Sequence, residues 1–361
     1  MHVHTRVSER RLTIKAMKKI VITLFFIFFS LTALNALAQH PGAVKTEEKY
    51  DYLENLINLD RFTDPVKQHL KDQKIDLEFF AGTLFGFDNN VNLDPERLKD
   101  GFFEGSLNTD VAYNYTPDVR LRIENDLTAI TYFTVHNANL LDIYTVGGFE
   151  VDVFDDLFTV ETDYAFDVSL FPEDRNGSYL GNHVMLFLKH NITQDLYQKA
   201  GWHFLHKSYT QGTVRASGGM DSSTLRRDYR NAGEYEAGFY MDKAIFKTNL
   251  EFFYNESNYQ YFDYYDYWSF KVTPSMIYMF TKKLYASGSF TYQNRRYKGR
   301  LSTKNDEHVA DSTCSFNASV LYDVTKSFTF AFNCSYRENT SNEPLQKYSG
   351  TIMTWGLYYS F

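Results

Sequence analysis

Apolar and polar residues alternate along the chain from residue 75 onward. In the segment 119–133, for example, Leu121 and Ile123 alternate with Arg120 and Arg122. A period of two places successive side chains on opposite faces of a β-strand. The pattern therefore predicts strands with one apolar and one polar face. The alternating segments are also longer than the roughly 5–6 residues that are usual for strands of globular proteins.

Short polar turns interrupt the alternation at regular intervals. Consecutive turn centres are 38 to 50 residues apart, which is room for two long strands and a loop. With the strands before the first turn and after the last, the sequence predicts about fourteen strands. Tight turns lie at one end of the strands, and loops rich in Gly, Asn, Asp and Ser lie at the other. The turns are centred near Pro117, Asp155, Thr193, Lys243, Lys282 and Thr325.

The composition decides what kind of sheet these strands form. Tyr and Phe account for 60 of the 361 residues, yet the mean hydropathy is −0.41. A disordered chain could not bury so much aromatic surface, and a helical membrane protein would need repeated apolar runs of about 20 residues. A water-soluble β-sandwich also alternates, but its core would not accept the rows of charge on the polar faces. The sequence therefore predicts an all-β fold, an antiparallel up-and-down transmembrane β-barrel of about fourteen strands that encloses its polar faces.

The first 38 residues have the pattern of an export signal. Met17-Lys18-Lys19 precedes the apolar run 20–29, and Ala36-Leu37-Ala38 supplies a small-residue cleavage site. We predict that residues 1–38 are a signal peptide with an upstream extension, the alternative being an N-terminal membrane anchor. Without them 31 basic and 44 acidic residues remain, a net charge of −13. No basic patch favours nucleic acid as a partner.

The segment 39–74 differs from the rest of the mature chain. Leu53, Leu56, Ile57 and Leu70 have helical spacing among charged neighbours. We predict a periplasmic N-terminal segment that is partly helical, the alternative being a mobile tail. The domain organisation is therefore a signal peptide over 1–38, this segment over 39–74 and the barrel over 75–361.

The end of the chain resembles the last strand of bacterial outer-membrane β-barrel proteins of the porin-like kind. Trp355, Leu357 and Tyr359 share one face of the segment 350–361, which ends at Phe361. The resemblance implies that this strand is the signal recognised by the barrel-assembly machinery. It also implies a location in the bacterial outer membrane, among its lipids. No narrower family is indicated.

The polar faces predict a charged lumen. Acidic residues dominate the strands between 76 and 167, whereas basic residues dominate the hairpin 183–207. Opposite charges on different walls would act on polar solutes in a water-filled passage and favour cations where acids dominate. The alternative is that the charges pair and fill the interior. The candidate lumen-lining residues are Glu104, Asp110, Arg120, Arg122, Glu124, Asp126, Glu161, Asp163, Lys189, Lys199 and Lys207.

Cys314 and Cys334 lie ten residues on either side of position 324, both on the apolar face. A hairpin symmetric about that position would place them opposite each other, within reach of a disulfide. Two free thiols are the alternative, because a register slip of two residues would separate them.

The sequence favours a porin-like channel for passive or weakly selective passage of small polar solutes, with a homo-oligomer left open. One alternative is a non-channel barrel that serves export or envelope assembly with a periplasmic partner. Another is an outer-membrane lipid hydrolase, because His206 and Ser208 have the His-x-Ser spacing of such enzymes and share an outward face. No Asn or acid in the sequence obviously completes that set. No metal or phosphate-binding motif occurs, so we predict no catalytic residues, metal or cofactor.

Overall fold

The computed structural model describes residues 75–154, 157–173, 175–193 and 195–360. The predicted signal peptide, the segment 39–74 and Phe361 lie outside these residues. No helix in the described part of the chain is long and apolar enough to cross a membrane. The strands are β1 (Ile75–Asp88), β2 (Asp100–Thr116), β3 (Val119–Tyr132), β4 (Leu140–Val153), β5 (Phe158–Leu170), β6 (Tyr179–Asn191), β7 (Leu196–Arg215), β8 (Asp221–Met241), β9 (Ala244–Ser257), β10 (Tyr267–Thr281), β11 (Leu284–Leu301), β12 (His308–Asp323), β13 (Phe328–Ser341) and β14 (Tyr348–Ser360). Short 3₁₀ turns occupy His136–Ala138, Arg175–Gly177, Tyr261–Asp263 and Pro344–Gln346.

The strands form one closed antiparallel barrel in which each is hydrogen-bonded to its neighbours in sequence. β14 closes the barrel by pairing with β1, from Phe80↔Ser360 to Asp88↔Ile352. Closure leaves no free sheet edge, which is the condition for a sheet to cross a bilayer. The predicted fold class and strand number are confirmed.

The two ends of the barrel differ in the length of their connections. At one end the turns have two to four residues, and they include every predicted turn centre. At the other end the loops have five to eleven residues, the longest being 89–99 between β1 and β2. Outer-membrane barrels have short periplasmic turns and longer extracellular loops. We therefore refer to the loop end as the outer end.

The outward faces of the strands are apolar and the inward faces are mostly polar. On β13, Phe328, Phe330 and Phe332 are each more than 40% exposed, whereas Arg337 on the inward face is 2% exposed. The other strands likewise have exposed apolar side chains on the outward face and buried polar or charged side chains on the inward face. A continuous exposed apolar belt of this size is suited to lipid rather than to water.

Aromatic rings cover glycines on the inner wall. The ring of Phe102 lies over Gly86 and that of Tyr197 over Gly238, and a Cβ on either glycine would come within 2.1 Å of the ring. Each pair joins neighbouring strands, β1 with β2 and β7 with β8. The glycines therefore make room for aromatic side chains that fix the register of the two strands.

Of the two alternatives for the cysteines, the structure has the two free thiols. Both lie on the outward face, but Cys314 is opposite Glu338 and Cys334 is opposite Ala318. Both thiols are free. The turn centre lies at 326 rather than 324, because residues 324–327 form the connection and Thr325 accepts hydrogen bonds from the amides of Ser327 and Phe328. Shifting the centre by two residues moves cross-strand partners by four, about 13 Å along the strand.

This register predicts where a disulfide can form. We expect Ala318→Cys to link to Cys334 on mild oxidation, since these residues face each other across β12 and β13. The unaltered chain, with Cys314 and Cys334, should remain fully reduced under the same conditions. Mass mapping of peptides without reduction distinguishes the two. A linked Cys314–Cys334 peptide would show that the register is wrong.

Candidate functional site

A cavity of about 710 Å³ occupies the interior of the barrel. Inward-facing side chains line it from the turn end, where Tyr285, Thr329 and Ser360 lie, to the level of Tyr132 and Phe253. Because strand side chains alternate, each strand contributes every second residue to this lining. The charged side chains among them are Glu78, Glu104, Asp110, Glu124, Asp163, Glu234, Glu236, Glu251, Arg122, Lys199, Arg230, Lys247 and Lys271.

The structure places six of the eleven predicted lumen-lining residues at the cavity surface. These six are Glu104, Asp110, Arg122, Glu124, Asp163 and Lys199. The other five also face inward, but each lies against a neighbouring side chain on the barrel wall. Arg120 is 3.9 Å from Asp76, Asp126 accepts a hydrogen bond from Asn108, Glu161 pairs with Lys199, and the Lys189 and Lys207 ammonium groups lie 4.8 and 4.1 Å from the ring centres of Tyr197 and Tyr179.

An ion-pair group joins the acidic wall to the basic hairpin. Arg122 on β3 contacts Asp163 on β5 at 2.5 Å and Glu150 on β4 at 3.2 Å. Lys199 on β7 pairs with Glu161 on β5. These charges therefore meet along the wall, between strands one or two apart. Charge-assisted hydrogen bonds of this kind hold the side chains against the wall.

A second charged group, on β7–β10, lies farther round the barrel. The Glu251 carboxylate is 2.5 Å from Lys271 Nζ and 3.4 Å from His203 Nε2, and His203 is 3.7 Å from Glu234. The lumen-lining residues predicted from the sequence do not include Glu234 and Glu251. Their signal was the same alternation, with Glu234 two residues before Glu236 on β8.

The remaining wall, β10–β14, is held by neutral polar side chains. Hydroxyl and amide groups on neighbouring strands form a row of lateral hydrogen bonds. These bonds join Ser335 to Asn317 (2.6 Å), Thr313 to Asn339 (2.8 Å), Asn333 to Thr354 (2.9 Å) and Gln293 to Ser269 (3.0 Å). Three charged side chains, Arg295, Asp311 and Arg337, are buried on the same arc.

An apolar cluster limits the cavity at its outer end. Phe102, Ile130, Tyr132 and Ile352 line the cavity and also belong to this cluster. On its outer side the cluster contains Val91 and Leu93, from the loop 89–99, together with Ala138, Leu140, Phe171 and Tyr348. The loop is hydrogen-bonded to β14, because the side-chain amide of Asn90 donates to the backbone carbonyl of Ser349 at 2.9 Å. The loop therefore closes part of the outer mouth from inside.

Two further outer loops are joined by Glu343. Its carboxylate accepts hydrogen bonds from the Thr303 amide at 2.7 Å and from the Thr303 hydroxyl at 2.9 Å. Burial opposes ionisation of this carboxyl group. The hydrogen bonds outweigh burial and hold the pKa of Glu343 below its usual value. The loops after β11 and β13 are thus anchored to each other at the outer end.

The His-x-Ser pair lies outside the lumen. His206 and Ser208 are half-buried on the outward face of β7, and Ser208 Oγ is 3.3 Å from His206 Nε2. Asn182 on β6 is the register partner of His206. The sequence alone could not reveal this neighbour, because it depends on how β6 and β7 are aligned. Among the described residues, no group of three or more His, Cys, Asp or Glu side chains is arranged to hold a metal ion.

The apolar exterior and the charged interior together indicate which environment surrounds the barrel. A closed barrel with lipid-compatible side chains outside and enclosed charges inside fits a membrane and no other solvent. The chain has the fold of a bacterial outer-membrane β-barrel. Trp355 and Leu357 lie on the outward face of its last strand, and the ring of Tyr359 contacts that of Phe328, with ring centres 5.1 Å apart and planes tilted by 50°.

No family model and no curated protein matches the sequence of this outer-membrane barrel. Solved structures similar to it include OmpT of Vibrio cholerae, with a TM-score of 0.47 and 9% identity over 80% of this chain and 99% of that chain. Others are an anion-selective porin from Comamonas acidovorans (0.46, 9%, 80% and 99%) and a Pseudomonas aeruginosa FadL homologue (0.43, 9%, 80% and 90%). With TM-scores below 0.5, these proteins say nothing about what the barrel transports or binds.

Proposed function

We propose that the barrel is a channel through which small polar solutes cross the outer membrane passively, with a preference for cations. The supporting observation is the charge of the cavity lining, where eight carboxylates face five Lys and Arg side chains. An excess of enclosed negative charge raises the local concentration of cations and repels anions. The ion pairs along the wall lower this excess locally, and the preference is therefore modest.

The acids of β2 and β3 contribute strongly to this preference. Asp110 and Glu124 are register partners on neighbouring strands, and Glu104 lies on the same inward face of β2. Their charges reinforce one another because like charges concentrate on one wall. In this proposal, a cation passing the turn-side half of the lumen is drawn toward that wall.

Reversal potentials in planar bilayers under a salt gradient test the proposal. The unaltered barrel should conduct and favour potassium over chloride. The triple variant Glu104→Gln, Asp110→Asn, Glu124→Gln removes three of the eight cavity carboxylates and should shift selectivity toward chloride.

The matched control is Glu307→Gln, which neutralises an exposed acid in an outer loop and should leave the reversal potential unchanged. Absence of conductance in the unaltered barrel would contradict the channel. It would favour the non-channel alternative, in which the barrel serves export or assembly. An anion-selective conductance would contradict the cation preference alone.

A further inference from the structure

A serine and a histidine on the lipid-facing surface of the barrel are arranged as a nucleophile and its base. Ser208 Oγ is 3.3 Å from His206 Nε2, both on the outward face of β7. When the ring carries its proton on Nδ1, Nε2 accepts the hydrogen bond from the serine hydroxyl. This is the pairing by which a histidine activates a serine.

Residues of the two neighbouring strands flank the histidine on both sides. On β8, Tyr229 stacks on the His206 ring with centres 4.8 Å apart and planes 10° apart. On β6, Asn182 is the register partner of His206, and its Oδ1 accepts a hydrogen bond from Tyr164 Oη at 2.6 Å. An amide oxygen has two lone pairs, so Oδ1 retains capacity for a second donor such as His206 Nδ1–H.

The depth of the pair in the membrane matches that of a lipid ester. β6 begins at Tyr179, three residues before Asn182, so the pair lies near the outer end of the barrel. Trp202 and Phe204 stack on the same face, with ring centres 6.4 Å apart, and lie nearer the middle of the strand, opposite Leu186 and Val184. The ester bonds of membrane lipids lie at the boundary between acyl chains and headgroups, the level toward which the outer ends of the strands extend.

A cationic side chain stands beside the serine. Arg227 on β8 is the register partner of Ser208 and is exposed on the same outward face. A guanidinium group binds phosphate oxygens through two parallel hydrogen bonds. Arg227 would therefore bind the phosphate of a lipid whose ester approaches Ser208.

We infer that Ser208, His206 and Asn182 form a second site, separate from the lumen, which hydrolyses acyl esters of membrane lipids. Ser208 Oγ attacks the ester carbonyl carbon while its proton passes to His206 Nε2. The ester C–O bond breaks, and His206 returns the proton to the departing alcohol oxygen. Water then attacks the acyl-serine, giving a proton to His206, and the fatty acid leaves as Ser208 regains that proton. Asn182 is a positioning residue that holds the ring in the required tautomer.

Release of fatty acid by the purified full chain tests the inference. The chain is refolded from inclusion bodies into detergent micelles, which removes host lipases. Separate samples receive phosphatidylethanolamine and lipid A, so that the two sources of acyl ester are distinguished. We expect hydrolysis of phosphatidylethanolamine and covalent labelling of Ser208 by a fluorophosphonate probe, mapped by mass spectrometry. Ser208→Ala should abolish both, and His206→Ala should lower the rate by about 10²–10⁴-fold.

Asn182 has its own test. Asn182→Ala should lower kcat with KM unchanged, whereas Asn182→Asp should restore kcat, because either oxygen can accept from Nδ1–H. A purely structural role would not give this rescue.

Matched controls are Ser312→Ala and His190→Ala, outward-facing residues elsewhere on the barrel wall, and both should retain full activity. Heat-modifiable migration on gels confirms that each variant is folded. If lipid A is hydrolysed and phosphatidylethanolamine is not, the ester chemistry is supported. The role of Arg227 in binding a glycerophospholipid is then contradicted. Absence of fatty-acid release from both lipids, or release that persists in Ser208→Ala, would overturn the inference.

Discussion

Replacing Val91 and Leu93 together by aspartate should raise the single-channel conductance of the barrel several-fold. Both side chains are buried in the apolar cluster, at 2% and 9% exposure. Burial of each contributes about 1.5–3 kcal/mol to keeping the loop 89–99 inside the mouth. A buried, unpaired carboxylate costs more than this, so the variant loop is expelled toward solvent. Its departure removes the outer limit of the cavity above Phe102 and Ile130.

The control for this experiment is Leu345→Asp. Leu345 also lies in an outer loop but is 55% exposed, so its replacement should not change the conductance. Conductance is measured in planar bilayers, with folding checked by heat-modifiable migration. If the double variant is folded and conducts like the unaltered barrel, the loop does not close the mouth.

The architecture of this barrel was predictable because it depends on local patterns. Alternation around Leu121 and Arg122 assigns the two faces without knowledge of any partner strand. Turn residues such as Pro117 and Lys243 mark the ends of hairpins from their own chemistry. Fourteen strands and the inward direction of the charged rows follow from these local signals.

Register was not predictable to the same precision. The predicted pairing of the cysteines requires a hairpin centred at residue 324. The turn before Phe328 is instead centred at residue 326. That difference separated Cys314 from Cys334 along the strands. The alignment of β6 with β7 likewise placed Asn182 beside His206, although 24 residues separate them in sequence. Contacts between strands depend on turn geometry, which a polar turn sequence specifies only loosely.

The apolar cluster at the mouth was missed for a different reason. Phe102 and Ile130 occupy inward positions in phase with Glu104 and Thr128, where alternation implies a polar wall. They appear as isolated departures from the pattern. Only the folded loop, with Val91 on top of them, shows that these departures form one structure.

Lys271→Met should destabilise the barrel by about 3–5 kcal/mol, because it leaves the Glu251 carboxylate enclosed without its closest cation. The Glu251 side chain is 7% exposed, and Lys271 Nζ is 2.5 Å from it. His203, at 3.4 Å, remains as the second partner of that carboxylate. Urea unfolding of the barrel in lipid vesicles, followed by tryptophan fluorescence, measures the change in the free energy of unfolding.

Two control variants distinguish the effect of an unpaired buried carboxylate on stability from the effect of losing a lysine side chain. Lys298→Met breaks a 2.9 Å contact with Asp263 in an outer loop, but Lys298 is 55% exposed at the side chain, so the cost should not exceed about 1 kcal/mol. The double variant Lys271→Met, Glu251→Gln has no uncompensated carboxylate at position 251 and should recover most of the lost stability.

The double variant should also retain the ion selectivity of the unaltered channel, because one charge of each sign is removed from the lining. Lys271→Met alone should favour cations more strongly, since the excess of carboxylates in the cavity then grows. Equal destabilisation by Lys271→Met and by the double variant would show that packing of the lysine chain, and not its charge, stabilises this part of the wall.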